Sequence, residues 1–194
     1  MEIWVIGNGE SRRKFPLNSI RSLSIGCNAI HRNYICDIFV AVDRKMVNEI
    51  LSNPNCKNKP IYTRPEWFKE FASKQVLELP SIPYTGSQKP DQGLHWNSGP
   101  YAILLAALKN PEYINLLGFD LYGVNGLQNN VYKDSDNYAP SSQKEIKPTF
   151  WIYQISKLLE LYPKIKFVQY QHKDWQTPQE WSVYKNLTVK YFPV

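Results

Sequence analysis

The most constraining feature of this chain is its opening apolar run, Ile3-Trp4-Val5-Ile6, closed by Gly7-Asn8-Gly9-Glu10-Ser11. A short continuous apolar run bounded by turn residues marks a strand buried on both faces. Such strands belong to parallel sheets covered by helices. The pattern recurs. Leu23 to Cys27 stops at Asn28, Ile38 to Val42 stops at Asp43, and Tyr113 to Leu117 stops at Gly118-Phe119-Asp120. Lys166 to Tyr170 and Leu187 to Tyr191 read as later strands, and Pro60 to Tyr62 as another.

Helical spacing fills the intervals. Arg44 to Leu51 places Met46, Val47, Ile50 and Leu51 on one stripe, and Trp67, Phe68 and Phe71 suggest a short amphipathic turn. Ser98 to Leu108 is a helix that Asn97 or Ser98 can cap, and Phe150 to Leu161 is another. Strands alternating with helices predict an α/β fold with a mostly parallel sheet flanked by helices. The 194 residues show no repeat and no linker, so residues 1–194 read as a single domain. Two stretches have no period. Residues 80–93 are rich in Pro, Gly and Ser, and residues 118–148 in Asn, Tyr and Ser. The second reads as a lid or a flexible loop.

Composition narrows the function classes. The net charge is +6, but its densest clusters, Arg12-Arg13-Lys14 and Lys57 with Lys59, are short. That suits a solvated basic surface or a phosphate-bearing ligand, and argues against nucleic acid. Cys27, Cys36 and Cys56 are odd in number with no CxxC pair, and resemble neither a disulfide framework nor a zinc site. The absence of a signal peptide and of a membrane-length apolar run gives the expectation of a cytoplasmic protein.

Three segments could carry chemistry. In Gly7-Asn8-Gly9-Glu10-Ser11, glycines let a backbone approach an anion, although the same residues suit a plain turn. The dinucleotide fingerprint and the P-loop are both absent. In Asn97-Ser98-Gly99-Pro100, a helix N-terminus offers free N–H groups, although Ser98 also suits ordinary capping. In Gly118-Phe119-Asp120-Leu121-Tyr122, Asp120 stands where an open parallel sheet binds ligands, and could accept from ribose, bind a metal or cap a turn. Asn28 and Asp43 end two further strands. Of the three histidines, His95 lies three residues before Ser98 and could act as a base, His31 follows the Asn28 turn, and His172 sits beside charged residues late in the chain.

Taken in order, Val5-Ile6-Gly7-Asn8-Gly9-Glu10-Ser11, Gly26-Cys27-Asn28, Ser98-Gly99-Pro100-Tyr101 and Leu116-Leu117-Gly118-Phe119-Asp120-Leu121-Tyr122 resemble the bacterial lipooligosaccharide sialyltransferases. The chain is also similar to a wider group of Rossmann-like domains that includes the archaeal-type hydroxymethylpterin pyrophosphokinases. The resemblance spans about residues 3–155. It implies a nucleotide-sugar of the CMP type as substrate, a glycan acceptor and no metal or other cofactor. It would put Asn8 and Gly9 beside the phosphate and ribose, and Asn28 in the nucleotide pocket; Ser11, in the same loop, is a further candidate nucleotide-binding residue. Asp43 would match a donor-contacting Asn, and Ser98 and Gly99 would hold the nucleotide. Tyr122 and Tyr132 would match tyrosines that stabilise the leaving phosphate. The family's general base, a His in the long loop, has no counterpart here. The matching stretch reads Tyr138-Ala139-Pro140-Ser141-Ser142, and His95 replaces an expected Arg.

Four readings follow. A glycosyltransferase would use His95 as base for direct attack by an acceptor hydroxyl. A non-catalytic nucleotide- or sugar-phosphate-binding module would need only the binding residues. A pyrophosphokinase would need Asp43 and Asp120 for Mg²⁺. An assembly protein, including a homo-oligomer, would present Trp67-Phe68 and Trp175 through Trp181 to partners.

Overall fold

A computed structural model describes residues 1–191 of the chain. Eight strands form one sheet: β1 (Glu2–Ile6), β2 (Leu23–Cys27), β3 (Ile38–Val40), β4 (Ile61–Thr63), β5 (Val76–Glu78), β6 (Tyr113–Leu117), β7 (Lys166–Gln171) and β8 (Leu187–Tyr191). Their order is β5-β4-β3-β2-β1-β6-β7-β8, and every pairing is parallel. Four α-helices accompany them: α1 (Arg44–Ser52), α2 (Pro65–Phe68), α3 (Ser98–Ala107) and α4 (Thr149–Leu161). This is a Rossmann-like α/β fold, all parallel rather than mostly so.

Strand alternation divides the core in two. Ile3 and Val5 of β1, with Ile25, Val40, Ile114 and Leu116, face α3 and α4. Trp4 and Ile6, with Phe39 and Leu117, face Met46, Val47 and Ile50 of α1. Nine of the ten α3 residues are buried, which is why its sequence is apolar on every side.

The structure departs from the sequence expectations at β5 and at the late aromatic residues. Strand β5 was not anticipated, because Val76-Leu77-Glu78 is too short to show a period and gains its order by pairing with β4. The β1–β2 and β2–β3 crossovers, for which the sequence showed no helical period, are 3-10 turns (Glu10–Lys14, Leu17–Ser19 and Asn28–Arg32). The connection of residues 28–37 is shorter than the roughly dozen residues a helical crossover needs. The aromatic residues at 175–181 point inward. Trp181 is 1% exposed and donates from Nε1 to the Ile152 carbonyl at 3.2 Å. Trp175 donates to the Asp120 carbonyl at 2.8 Å, while Trp67 and Phe68 are half-buried. Of these aromatic residues, Trp181 is therefore core packing, and Trp67, Phe68 and Trp175 keep part of their surface exposed. No helix among the described residues is long and apolar enough to cross a membrane.

Candidate functional site

From β1 the chain runs outward through β2 to β5. It then returns to β6 on the other side of β1 and continues to β8. The carboxyl ends of β1 and β6 therefore flank the topological switch point, where open parallel sheets bind ligands. A cleft of about 180 Å³ lies there. Of the residues singled out from the sequence, Asn8, Gly9, Asn28, Ser98, Gly99, Asp120 and Tyr122 line it. Ser11, Asp43, His95 and Tyr132 do not.

The floor of the cleft is a closed seam between the two strand ends. Gly7 N–H donates to the Leu117 carbonyl at 2.8 Å, and Gly9 N–H to the Gly118 carbonyl at 2.9 Å. A Cβ on Gly7 would stand 2.6 Å from the Gly118 carbonyl oxygen, so both chains need glycine to approach this closely. Gly118 also has φ +73°, a left-handed conformation that favours glycine. A Cβ on Gly9 would stand 2.5 Å from Asp120 Oδ1. The Asp120 carboxylate fills that space and accepts from Ser11 N–H at 2.9 Å, from the Ser11 hydroxyl, and from Gln171 Nε2 at 3.3 Å. Ser11 is 2% exposed and Asp120 7%. These two residues hold β1 to β6. Ser11 is thus buried outside the cleft, and Asp120 lines the cleft with both oxygens already engaged.

Ser98 has a similar double role. Its hydroxyl accepts from Val42 N–H at 3.1 Å and donates to Asn28 Oδ1 at 2.7 Å. One hydroxyl thus ties the α3 N-terminus to the ends of β2 and β3. It also turns the Asn28 amide so that its NH₂ is the half left for another partner. Asn28 itself has φ +52°, a left-handed conformation that Asn adopts more readily than most residues.

Residues 118–148 form an irregular loop anchored at several points. Tyr132 is 6% exposed; its hydroxyl accepts from Arg12 Nη2 at 2.7 Å and its ring lies 5.3 Å below the Arg12 guanidinium. Tyr132 is thus a buried brace, which corrects its expected place on the leaving phosphate. Tyr138 accepts from Asn8 Nδ2 at 3.1 Å and from Ala29 N–H at 3.4 Å. Arg32 pairs with Glu49 of α1 and donates to Ser135 Oγ at 2.8 Å and the Asp136 carbonyl at 2.9 Å. Asn137 Nδ2 donates to Glu49 at 3.0 Å. The Arg32 guanidinium holds the Glu49 carboxyl below its ordinary range. His31 Nε2 lies 3.2 Å from the same carboxylate, and burial pushes its imidazole below its ordinary value despite that neighbour.

The other lining residues divide by chemistry. Trp151, Ile155, Ile146 and Leu121 give an apolar wall. Asn97, Gln128, Asn129 and Asn130 add carboxamides, and Glu145 adds a carboxylate whose Oε2 accepts from Gly123 N–H at 2.6 Å. Cys27 is a lining thiol that burial pushes up to about 12, so it is no nucleophile at neutral pH. Sequence reasoning missed Trp151, which reads as core in a helical stripe, and Glu145, which sits in an unpatterned loop.

His95 lies outside the cleft, with its ring 6.1 Å from that of Phe150, edge to face, and its carbonyl accepting from Gln154 Nε2. Asp43 precedes α1 as an exposed residue and caps no N–H with its side chain. Among the described residues, no three His, Cys, Asp or Glu side chains group as metal ligands would.

Comparison with known proteins finds no matching family model, no matching curated protein and no matching solved structure.

Proposed function

We propose that the protein binds a nucleotide or nucleotide-sugar of the CMP-sugar type in the cleft at the β1–β6 switch point. The observation that carries this reading is the composition of the cleft at that position. One wall is aromatic and aliphatic, with Trp151 able to cover a flat ring. The cleft is also lined by carboxamides, which both donate to and accept from bases and sugar hydroxyls. The N-terminus of α3 also lines the cleft at Asn97, Ser98 and Gly99, where N–H groups favour acceptor oxygens. Pocket-forming sites of this kind pair apolar walls with a few placed polar groups.

Sugar transfer to an acceptor hydroxyl is the activity this reading favours, with Tyr122 lining the cleft beside the sugar-nucleotide. A non-catalytic binding module is the second reading, favoured by one observation: no histidine lines the cleft. The pyrophosphokinase reading has less support. Asp120 is engaged by Ser11 and Gln171, and Asp43 lies outside this cleft.

Isothermal titration with CMP, CMP-sialic acid and UDP-sugars tests the binding. Saturable binding of at least one supports the reading, and no binding to any of them contradicts it. An assay of the same donors with a glycan panel then separates transferase from binding module. Released CMP coupled to a glycosylated acceptor supports transfer.

A further inference from the structure

We propose that a second cleft beside the first receives the anionic group of the ligand, so that the site has a neutral and an anion-accepting compartment. This rests on the nucleotide reading above. The second cleft has a volume of about 450 Å³ and is lined by Asn28, Asp43, Arg44, Lys45, Met46, Asn137 and Tyr138. Asn28 lines both clefts, so a single ligand can extend from one to the other.

The electrostatics divide the two. No Lys, Arg or His lines the main cleft, and its charged residues are Asp120 and Glu145. A phosphate held wholly there would face two carboxylates with no cationic side chain to offset them. The second cleft supplies donors from three separate elements. Lys45 of α1 has no ion-pair partner among the described residues. Arg44 adds a second cation, shared with Glu70 at 3.1 Å, and Asp43 contributes one carboxylate. Asn28 presents its NH₂, because its Oδ1 accepts from Ser98. Tyr138, from the 118–148 loop, accepts two hydrogen bonds at its oxygen and keeps its own proton to donate. Burial raises its pKa, so the hydroxyl stays protonated at neutral pH. An ammonium, an amide NH₂ and a phenol O–H around one cavity are suited to a phosphate or carboxylate.

The test is titration of the full chain with the four ribonucleosides and their 5′-monophosphates, repeated on Lys45→Ala and Tyr138→Phe. Lys45 is exposed, and thermal melts verify that each variant folds. At least one monophosphate should bind about tenfold more tightly than its nucleoside, the size of one charge-assisted contact. That advantage should shrink in both variants while nucleoside affinity holds in Lys45→Ala. Equal affinity for nucleoside and monophosphate overturns the proposal and leaves the main-cleft reading standing. An advantage that survives Lys45→Ala unchanged overturns it too. If nothing in the panel binds, the nucleotide reading itself falls, and this proposal with it.

Discussion

Ser11 and Asn28 stand in similar places, each just beyond a buried strand, and each carries a small polar side chain. Their situations differ. Ser11 is part of the β1–β6 seam, where Asp120 takes both its N–H and its hydroxyl. Asn28 is on the rim, where Ser98 takes only its carbonyl oxygen. The seam is saturated by its own hydrogen bonds, whereas the rim keeps donors and acceptors for a ligand. Polar residues at the carboxyl edge of a parallel sheet therefore serve two ends, and partner saturation separates them. In the seam a substitution should cost stability; on the rim it should cost affinity.

Gly9→Ala attacks the seam hardest. Its Cβ would enter the space of the Asp120 carboxylate. The expected loss is ~3 kcal/mol, on the order of 10 °C in melting temperature. An unchanged melt would show that the two loops have room to separate.

Ser11→Ala should cost ~1–2 kcal/mol, because a buried carboxylate loses one of its donors. Nucleotide affinity measured under conditions where the variant is folded should hold. Lost affinity with an unchanged melt would move Ser11 from the seam to the rim.

Acid should loosen, by a smaller amount, the latch that Glu49 of α1 forms with His31, Arg32 and Asn137 under the 118–148 loop. The folded-state pKa of His31 is depressed, so the unfolded chain takes up more protons as pH falls through ~6.5 and stability declines. Glu49 is depressed as well, so its contribution is present above ~4.5 and declines as pH falls further. Both act in the same direction. Melts from pH 7 to pH 4 should fall throughout, and Glu49→Gln should flatten the lower part. A melt that rises on acidification would contradict the latch.

Tyr122→Phe should leave stability within ~0.5 kcal/mol, since its hydroxyl makes no hydrogen bond among the described residues, while weakening nucleotide binding severalfold. His95→Ala should change nucleotide affinity least, because its ring lies against Phe150 away from the cleft. A larger affinity loss in His95→Ala than in Tyr122→Phe would reverse the assignment of the rim.

The sheet was legible because buried parallel strands are written as local apolar runs, and Leu23–Cys27 and Tyr113–Leu117 match their expected bounds. Strand β5 was not, since its order comes from its neighbour rather than from its three residues. The position of the cleft was legible too, because strand ends converge wherever the chain reverses direction in the sheet. The duties of the residues around it were not. Nothing local in Gly9-Glu10-Ser11 reveals that Asp120, more than a hundred positions later, engages both Ser11 groups. Tyr132 looked like a ligand residue because its partner Arg12 is equally remote in sequence. Trp151 and Glu145 were hidden by the opposite effect: one fits a helical stripe, and the other lies in a loop without a period.

A crystal soaked with CMP tests the central claim most directly. The account predicts density in the cleft between Trp151 and the Asn28–Ser98 pair, with the Ser11–Asp120 contacts intact and the phosphate toward Lys45. Density bonded to Ser11 and Asp120 in place of their mutual hydrogen bonds, or an empty cleft at saturating CMP, would contradict it.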